Sequence, residues 1–440
     1  MPGATTDPAS PPRKPKARSR FSGLRQGFIA FTYRNYRLFW LGQLVSVTGT
    51  WMQSLAQSWL VYEILGASPF QLGLVNVLQF LPVLVFGIPA GIIADRFPKR
   101  SILMVTQSTM MLLSGVLAVL VITDVVQLWH VYLVATLFGC ANAVDMPTRQ
   151  AFVSEMVDRD ALMNAIALNS ALFNTGRIIG PAIAGLLLAI MGPGPLFAIN
   201  AASYIAVLIG LLMMNTAPIT NTSTVGPIQR LREGLAYIRS EPVISRTIIM
   251  VGMIGIFGMN FNVWVPVLAS DAFDAGSSAY GQLFSAMGAG SLLGALSLAF
   301  SGRSPNRNRM VAAVFAMGAG EIVLDVVAAS GTALMLGALS LALVGFMSTN
   351  TMSTANTLVQ TTASDELRGR VMAVYMTVFA GTVPFGALLS GWVTGRFGLT
   401  FSLASSGTMV VIAGLYQLWA VRQLRRGNAR TESATARTGP

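Results

Sequence analysis

About a dozen apolar stretches of roughly 20 residues or more alternate with short polar gaps along this chain. At a rise of about 1.5 Å per residue, roughly 20 helical residues cross a hydrocarbon layer of about 30 Å. Backbone N–H and C=O groups find no water there, so each stretch is predicted to be a helix. The predicted spans are 38–62, 71–93, 101–122, 129–148, 165–190 and 195–214, then 245–269, 278–300, 310–329, 332–355, 371–394 and 399–421. Six spans, a polar stretch and six more spans read as a duplication. Within the polar stretch, Ile228, Leu231, Leu235 and Ile238 recur at helical spacing, which predicts an amphipathic helix over 227–240. Before the first span, Phe21, Leu24, Phe28, Ile29, Phe31 and Tyr33 stand among Arg25, Arg34 and Arg37 and read as a short interfacial helix.

Charge adds the topology. Of 29 Lys and Arg residues, 27 fall in alternate gaps or in the two tails. Cytoplasmic loops retain cations, so both termini are expected on the cytoplasmic side. The expected organisation is a basic cytoplasmic tail with interfacial helix (1–37), a six-helix bundle (38–214), a cytoplasmic linker (215–243), a second six-helix bundle (244–421) and a cytoplasmic tail (422–440). Only Arg177 lies inside a span, and only Arg396 lies in an opposite-side gap. Charged residues make up 10% of the 440, against roughly a quarter in a soluble domain. The net charge of +12 is spread over seven segments, which fits anionic lipid headgroups and does not form a nucleic-acid patch. The single Cys140 and single His130 leave no disulfide and no Cys- or His-based metal site, and no cofactor is expected. The first apolar run follows a long basic tail without a small-residue cleavage site, so no cleavable signal peptide is expected.

Glycines concentrate in every third span. Span 2 has Gly73, Gly87 and Gly91; span 5 has Gly176, Gly180 and Gly185. Span 8 has Gly288, Gly290 and Gly294; span 11 has Gly381, Gly386 and Gly391. Small residues at such spacing let helix backbones approach closely in a membrane.

Three motifs point to a family. After span 2 comes Gly91-Ile-Ile-Ala-Asp95-Arg96-Phe-Pro-Lys99-Arg100. This resembles the loop motif of the major facilitator superfamily, with Pro98 where the family usually has Gly. The resemblance implies a conformational latch made by Gly91, Asp95, Arg96, Lys99 and Arg100, with Asp95 paired to Arg96 or Arg100. Span 5 carries Gly176-x-x-x-Gly180-Pro181-x-x-x-Gly185, similar to the pattern the family associates with exporters that exchange substrate for protons. Asp145-Met-Pro147-Thr-Arg149 and Leu367-Arg368-Gly369-Arg370 are similar to a subgroup holding the enterobactin exporter and drug and macrolide efflux proteins. The resemblance implies an all-α membrane fold of twelve transmembrane helices in two pseudo-symmetric six-helix bundles. It departs in span 4, which lacks the membrane-embedded Arg of many proton-coupled drug exporters.

Polar residues inside the spans are the candidate chemistry. Gln43, Ser46, Thr50, Gln53 and Gln57 share one stripe of span 1. They either line a substrate cavity or bond to neighbouring helices. Asn142, Asn260 and Asn350 are candidate cavity residues in spans 4, 7 and 10. Glu321, Asp325, Arg177 and Asp145 are the candidates for proton or charge coupling, because intramembrane charges are costly and serve function by default. Depth favours Glu321, although helix 9 of the resembled fold lies away from the central cavity. Glu63, Asp124, Asp271 and Asp274 read as a solvated rim. The expected protein is not an enzyme. It is a monomeric secondary transporter of the bacterial inner or plasma membrane, exporting a small amphipathic molecule against protons; uptake or facilitated transport of a metabolite is the alternative.

Overall fold

A computed structural model describes the backbone of residues 28–214, 227–301, 306–331, 334–364 and 366–437. The side chains at 88, 92, 95, 174, 178, 227–231, 299, 301 and 424–437 lie outside the described set. The first half holds α1 (Arg34–Trp59), α2 (Pro69–Arg96), α3 (Lys99–Ile122), α4 (Leu128–Glu155), α5 (Arg159–Met191) and α6 (Pro193–Leu212). The linker carries α7 (Pro227–Ser240). The second half holds α8 (Pro242–Phe257), α9 (Phe261–Val267), α10 (Gly276–Ser301), α11 (Arg307–Ser330), α12 (Leu334–Thr362), α13 (Arg368–Phe397) and α14 (Leu399–Arg437). α1 and α9 each run on into a π-helical turn, Leu60–Ile64 and Leu268–Ala272.

Local chemistry sets the ends. Ser68 and Gln71 form a reciprocal capping box at the start of α2, with Pro69 in the first turn where no donor is needed. Gly331 ends α11 in the left-handed region, at φ 63°, which glycine adopts without a Cβ clash.

Packing repeats between the halves. α1 lies on α5 and α6, α2 on α4, and α3 on α4 and α6. The equivalent pairs recur in the second half: α8 on α13 and α14, α10 on α12, and α11 on α12 and α14. The duplication read from the sequence is thus expressed as two similarly wired bundles. Ten described stretches are long and apolar enough to cross a membrane, with α8, α9 and their π turn counting as one. α1 and α4 are as long but carry more polar residues and fall outside those ten.

Three local readings need correction. Residues 29–32 form a 3-10 turn, and α1 already begins at Arg34, so the interfacial helix does not extend to 37. Span 4 does not stop at 148, because α4 continues to Glu155 and takes Arg149 into the helix. Span 7 is not one helix: it breaks over 258–260, between α8 and α9. α7 forms as predicted and docks on α13, with Glu233 paired to Arg370 at 2.6 Å and the Ser364 N–H donating to the Tyr237 hydroxyl at 3.3 Å.

Candidate functional site

The candidate site is the seam between the bundles, where α2 meets α13 and α5 meets α10. One face of the molecule carries the helix ends with Arg34, Lys99, Arg159, Arg246 and Arg307; it is called the basic face below. Close contact gathers at the opposite face. A Cβ on Gly185 would stand 2.2 Å from the Gly281 Cα, one on Gly73 2.5 Å from the Ala387 carbonyl, and one on Gly391 2.3 Å from the Pro69 carbonyl. No side chain fits such gaps, so glycine is what permits these backbones to touch. Towards the basic face the contact passes from backbone to side chain, with Leu84 3.3 Å from a Cβ on Gly381, and then opens: among the described residues a Cβ on Gly87 or Gly91 meets nothing within 4 Å.

Polar ties close the same face. The two π turns lie 208 residues apart and face each other across the seam. Tyr62 donates to Asp271 Oδ2 at 2.7 Å, and Ser270 donates to Glu63 Oε2 at 2.6 Å. The offset maps Tyr62 onto Ser270 and Glu63 onto Asp271, so the pairs are reciprocal. Beneath them Trp59 stacks on Tyr280 with ring centroids 5.1 Å apart, and the Tyr280 hydroxyl donates to the Leu55 carbonyl at 3.2 Å. Glu63 and Asp271 are exposed rim carboxylates that also accept across the bundle seam. Asp124 and Asp274 occupy left-handed turn positions, at φ 55° and 45°.

The predicted interface glycines divide by role. The helices are the expected ones, but Gly176 seats the α1 backbone at Val47 and Thr48, and Gly180 seats it at Thr48 and Trp51. Their counterpart Gly386 seats α8 at the Ile256 carbonyl. Gly290 and Gly294 receive α12 within their own bundle. From the glycine motif of α5, which also contains Pro181, only Gly185 reaches the seam. Its partner Gly281 escaped the sequence reading; the signal was available, because 281 lies 208 residues after Gly73.

On the basic face, Lys99 is buried and pairs with Glu155 at 2.5 Å. Arg100 donates to the Leu212 carbonyl at 3.1 Å, and Arg96 is exposed. Two predicted latch cations thus hold partners within the first bundle; the Asp95 side chain lies outside the described set. Deeper along α4, fully buried Asp145 accepts from Thr106 at 2.8 Å, from Gln107 at 2.7 Å and from Arg149. The Arg149 guanidinium also lies over the Phe173 ring at 5.6 Å. This cluster joins α3, α4 and α5. Arg149, counted as a loop cation from sequence, is a mostly buried helix residue.

The α1 stripe is buried or half-buried throughout. Asn200 of α6 donates to Gln53 at 2.6 Å and to Ser114 at 3.3 Å; Thr50 meets the Tyr204 hydroxyl at 3.2 Å; Gln57 donates to Gln79 of α2 at 3.3 Å. Ser46 is buried, and Gln43 is buried with both amide atoms unpartnered. Thr50, Gln53 and Gln57 therefore bond helices together within the first bundle, the second of the two readings. Asn142 is half-buried on α4. Asn350 borders a cavity of about 360 Å³ inside the second bundle, with Asn306, Arg309 and Thr354. Asn260 sits in the break of span 7, donating to the carbonyls of Ile256 at 2.8 Å and Phe257 at 3.2 Å. The predicted cavity set is thus not gathered around one cavity.

Arg177 is half-buried on α5, in the first bundle. Glu321 lies in the second, on α11. Glu321 is fully buried where α11 packs on α14, and its Oε2 lies 2.7 Å from Ser406 Oγ. Its Oε1 stands 3.3 Å from a Cβ built on Gly258, against the break. Asp325, four residues on, is half-buried.

Two similarly wired helical bundles, shut at one face and parted towards the other, define a transporter of the major facilitator class. Residues 25–438 match the family model of transmembrane secretion effectors, and the chain belongs to that family. It is 25% identical to the "Staphyloferrin A transporter" of Staphylococcus aureus over 86% of this chain and 95% of that one. It is 26% identical to the "Multidrug efflux pump Tap" of Mycolicibacterium fortuitum, over 86% and 94%, and 23% identical to the "Enterobactin exporter EntS" of Escherichia coli O157:H7, over 93% and 97%. Among solved structures, a bacterial homologue of the human lysosomal transporter Spinster, inward-facing and unoccupied, aligns with TM-score 0.67 at 15% identity over 89% of this chain and 97% of that one. The chain is thus a multi-pass membrane transporter and not an enzyme.

Proposed function

We propose that this chain exports a small amphipathic molecule across the bacterial inner or plasma membrane by alternating access, driven by proton influx. The observation that carries the reading is the state of the seam: tied and glycine-packed at one face, parted along α2 at the other. Rocking one bundle on the other about a midplane site would exchange the two openings. The basic face is assigned to the cytoplasm, with both termini there, because cytoplasmic loops retain Lys and Arg. On this reading α1 and α4 also cross, giving twelve spans in bundles 38–214 and 244–421 around the linker 215–243, and the protein acts as a monomer. Export is supported by relatives whose names state multidrug efflux and enterobactin export; drug-like compounds, siderophores and other metabolites are the substrate classes. Latch duty falls to Gly91, Asp95, Arg96, Lys99 and Arg100, which would join the parted face when the molecule reverses.

The test starts with a panel of toxic amphipathic compounds in an efflux-deficient bacterial host. Any compound to which the chain confers resistance is then followed in vesicles, with and without a pH gradient. Efflux that collapses with the gradient is expected. Efflux indifferent to it would remove the proton drive, and accumulation inside cells would reverse the direction.

A further inference from the structure

Span 7 is broken where it meets Glu321, and the break exposes backbone acceptors in the middle of a bundle. α8 ends at Phe257 and α9 starts at Phe261, so the last carbonyls of α8 lose their helical partners. Asn260 covers two of them with its amide N–H groups. α14 holds both half-helices through serines one turn apart. Ser406 Oγ lies 2.5 Å from the Phe257 carbonyl, and Ser402 accepts from the Trp264 indole N–H at 3.0 Å.

The hydrogen count at Ser406 carries the inference. Its Oγ contacts the Phe257 carbonyl at 2.5 Å and Glu321 Oε2 at 2.7 Å. A carbonyl only accepts, an ionised carboxylate only accepts, and a serine hydroxyl supplies one hydrogen. Two such contacts need two hydrogens. Of the three groups in contact, Glu321 is the one that can gain a hydrogen: the protonated acid donates to Ser406, and Ser406 donates to Phe257. A metal ion does not replace that hydrogen, since oxygens sharing even a small cation at roughly 2.0–2.1 Å stand about 3 Å apart.

We infer that Glu321, Ser406 and the Phe257 carbonyl form a proton-binding site at the break of span 7, and that this proton decides whether the end of α8 is held on α14. With the proton present, the chain from Glu321 through Ser406 to Phe257 is complete. Without it, Ser406 turns its only hydrogen to the carboxylate and the α8 end is released. Gly258 lies at the hinge, where a Cβ would stand 2.6 Å from Val410 Cγ2. α9 continues into the π turn whose Ser270 and Asp271 tie the two bundles together. The site therefore sits on the element that reaches the seam.

Other titratable groups around it are otherwise placed. Asp325 is four residues further along α11. Arg246, at the basic end of α8, donates to the Ala420 carbonyl at 3.0 Å, and Glu241 precedes the first turn of α8. Asp271 accepts from Tyr62. On α14, Tyr416 is ten residues from Ser406, about 15 Å along the helix, and Arg422 is further still. α12 carries no charged residue. This inference deepens the proton-driven reading, naming where the proton sits.

The test uses the full chain in lipid, without transport. Infrared difference spectra across a pH titration are recorded for wild type, Glu321→Gln, Asp325→Asn and Ser406→Ala. A carboxylic C=O band is expected in wild type, lost in Glu321→Gln, kept in Asp325→Asn and shifted in Ser406→Ala. Hydrogen exchange over 256–264, corrected for intrinsic rates, is expected to quicken about fivefold on deprotonation, the equivalent of one net hydrogen bond. Glu321→Gln, whose amide still donates to Ser406, is expected to exchange slowly at every pH. A band that survives Glu321→Gln, disappears in Asp325→Asn, or is displaced by sodium at fixed pH overturns the proposal. Neither readout involves substrate, so failure here leaves the export reading standing, and failure to export leaves the proton measurable.

Discussion

The Tyr62 hydroxyl donates to Asp271 across the bundle seam at 2.7 Å, and the equivalent positions of the other half return the bond through Ser270 and Glu63. The same two turns, copied by duplication, tie the bundles twice. Both bonds lie at an exposed rim, so each is worth about 0.5 kcal/mol, the low end for a hydrogen bond. The double variant Tyr62→Phe/Ser270→Ala is expected to shift the balance between closed and open rim by about fivefold. Accessibility of a cysteine placed at Leu55 to a membrane-impermeant thiol reagent checks this; unchanged labelling would remove the latch role.

Gly281 and Gly185 make a second, steric prediction. A methyl at either position meets backbone at 2.2 Å, and overpacking of this kind costs about 1–3 kcal/mol. Gly281→Ala is expected to abolish transport while helicity by circular dichroism is retained, because only the state with this face closed is disfavoured. Gly87→Ala, with nothing within 4 Å, is the control that folds and keeps this state.

Asp145 is held by Thr106, Gln107 and Arg149 with no exposed surface. Asp145→Ala would strand a mostly buried guanidinium and two polar side chains, at about 3 kcal/mol. A large fall in the thermal unfolding temperature in detergent is expected, partly restored by adding Arg149→Met. An unaffected midpoint would mean that the cluster does not hold α3 and α4 together.

Gln53 distinguishes a cavity wall from a structural bond. Gln53→Leu leaves the buried Asn200 amide without one of its acceptors, costing about 1–3 kcal/mol. Lower thermal stability with an unaltered pattern of exported compounds is expected. A changed pattern at unchanged stability would return Gln53 to the cavity.

Hydropathy and charge made the helices legible in the sequence, because hydrocarbon tolerates neither unpaired backbone nor isolated ions. Periodicity also placed α7. The break in span 7 was not legible: Gly258 and Asn260 are compatible with a continuous apolar run, and the break depends on Ser402, Ser406 and Glu321 from distant helices. The polar stripe of α1 was legible as a stripe, but sequence could not say which neighbour it met. Asn200, Ser114 and Gln79 decide that, and each lies on another helix. Glu63 and Asp271 were legible as rim charges, but their bonds across the seam show only when the duplication is used to pair the two turns. Arg149 was read as a loop cation because its burial depends on Asp145 and Phe173.

The most direct measurement is a pair of spin-label distances in the lipid-reconstituted chain. One pair, at Phe97 and Gly369, spans the basic face; the other, at Val125 and Ser330, spans the opposite face. All four sites are exposed, and Cys140→Ser removes the only native cysteine. Alternating access requires the two distances to change in opposite senses when Tyr62→Phe/Ser270→Ala weakens the tied face: Val125–Ser330 lengthens while Phe97–Gly369 shortens. Both distances lengthening together, or one changing while the other stays fixed, would contradict a rocking transporter.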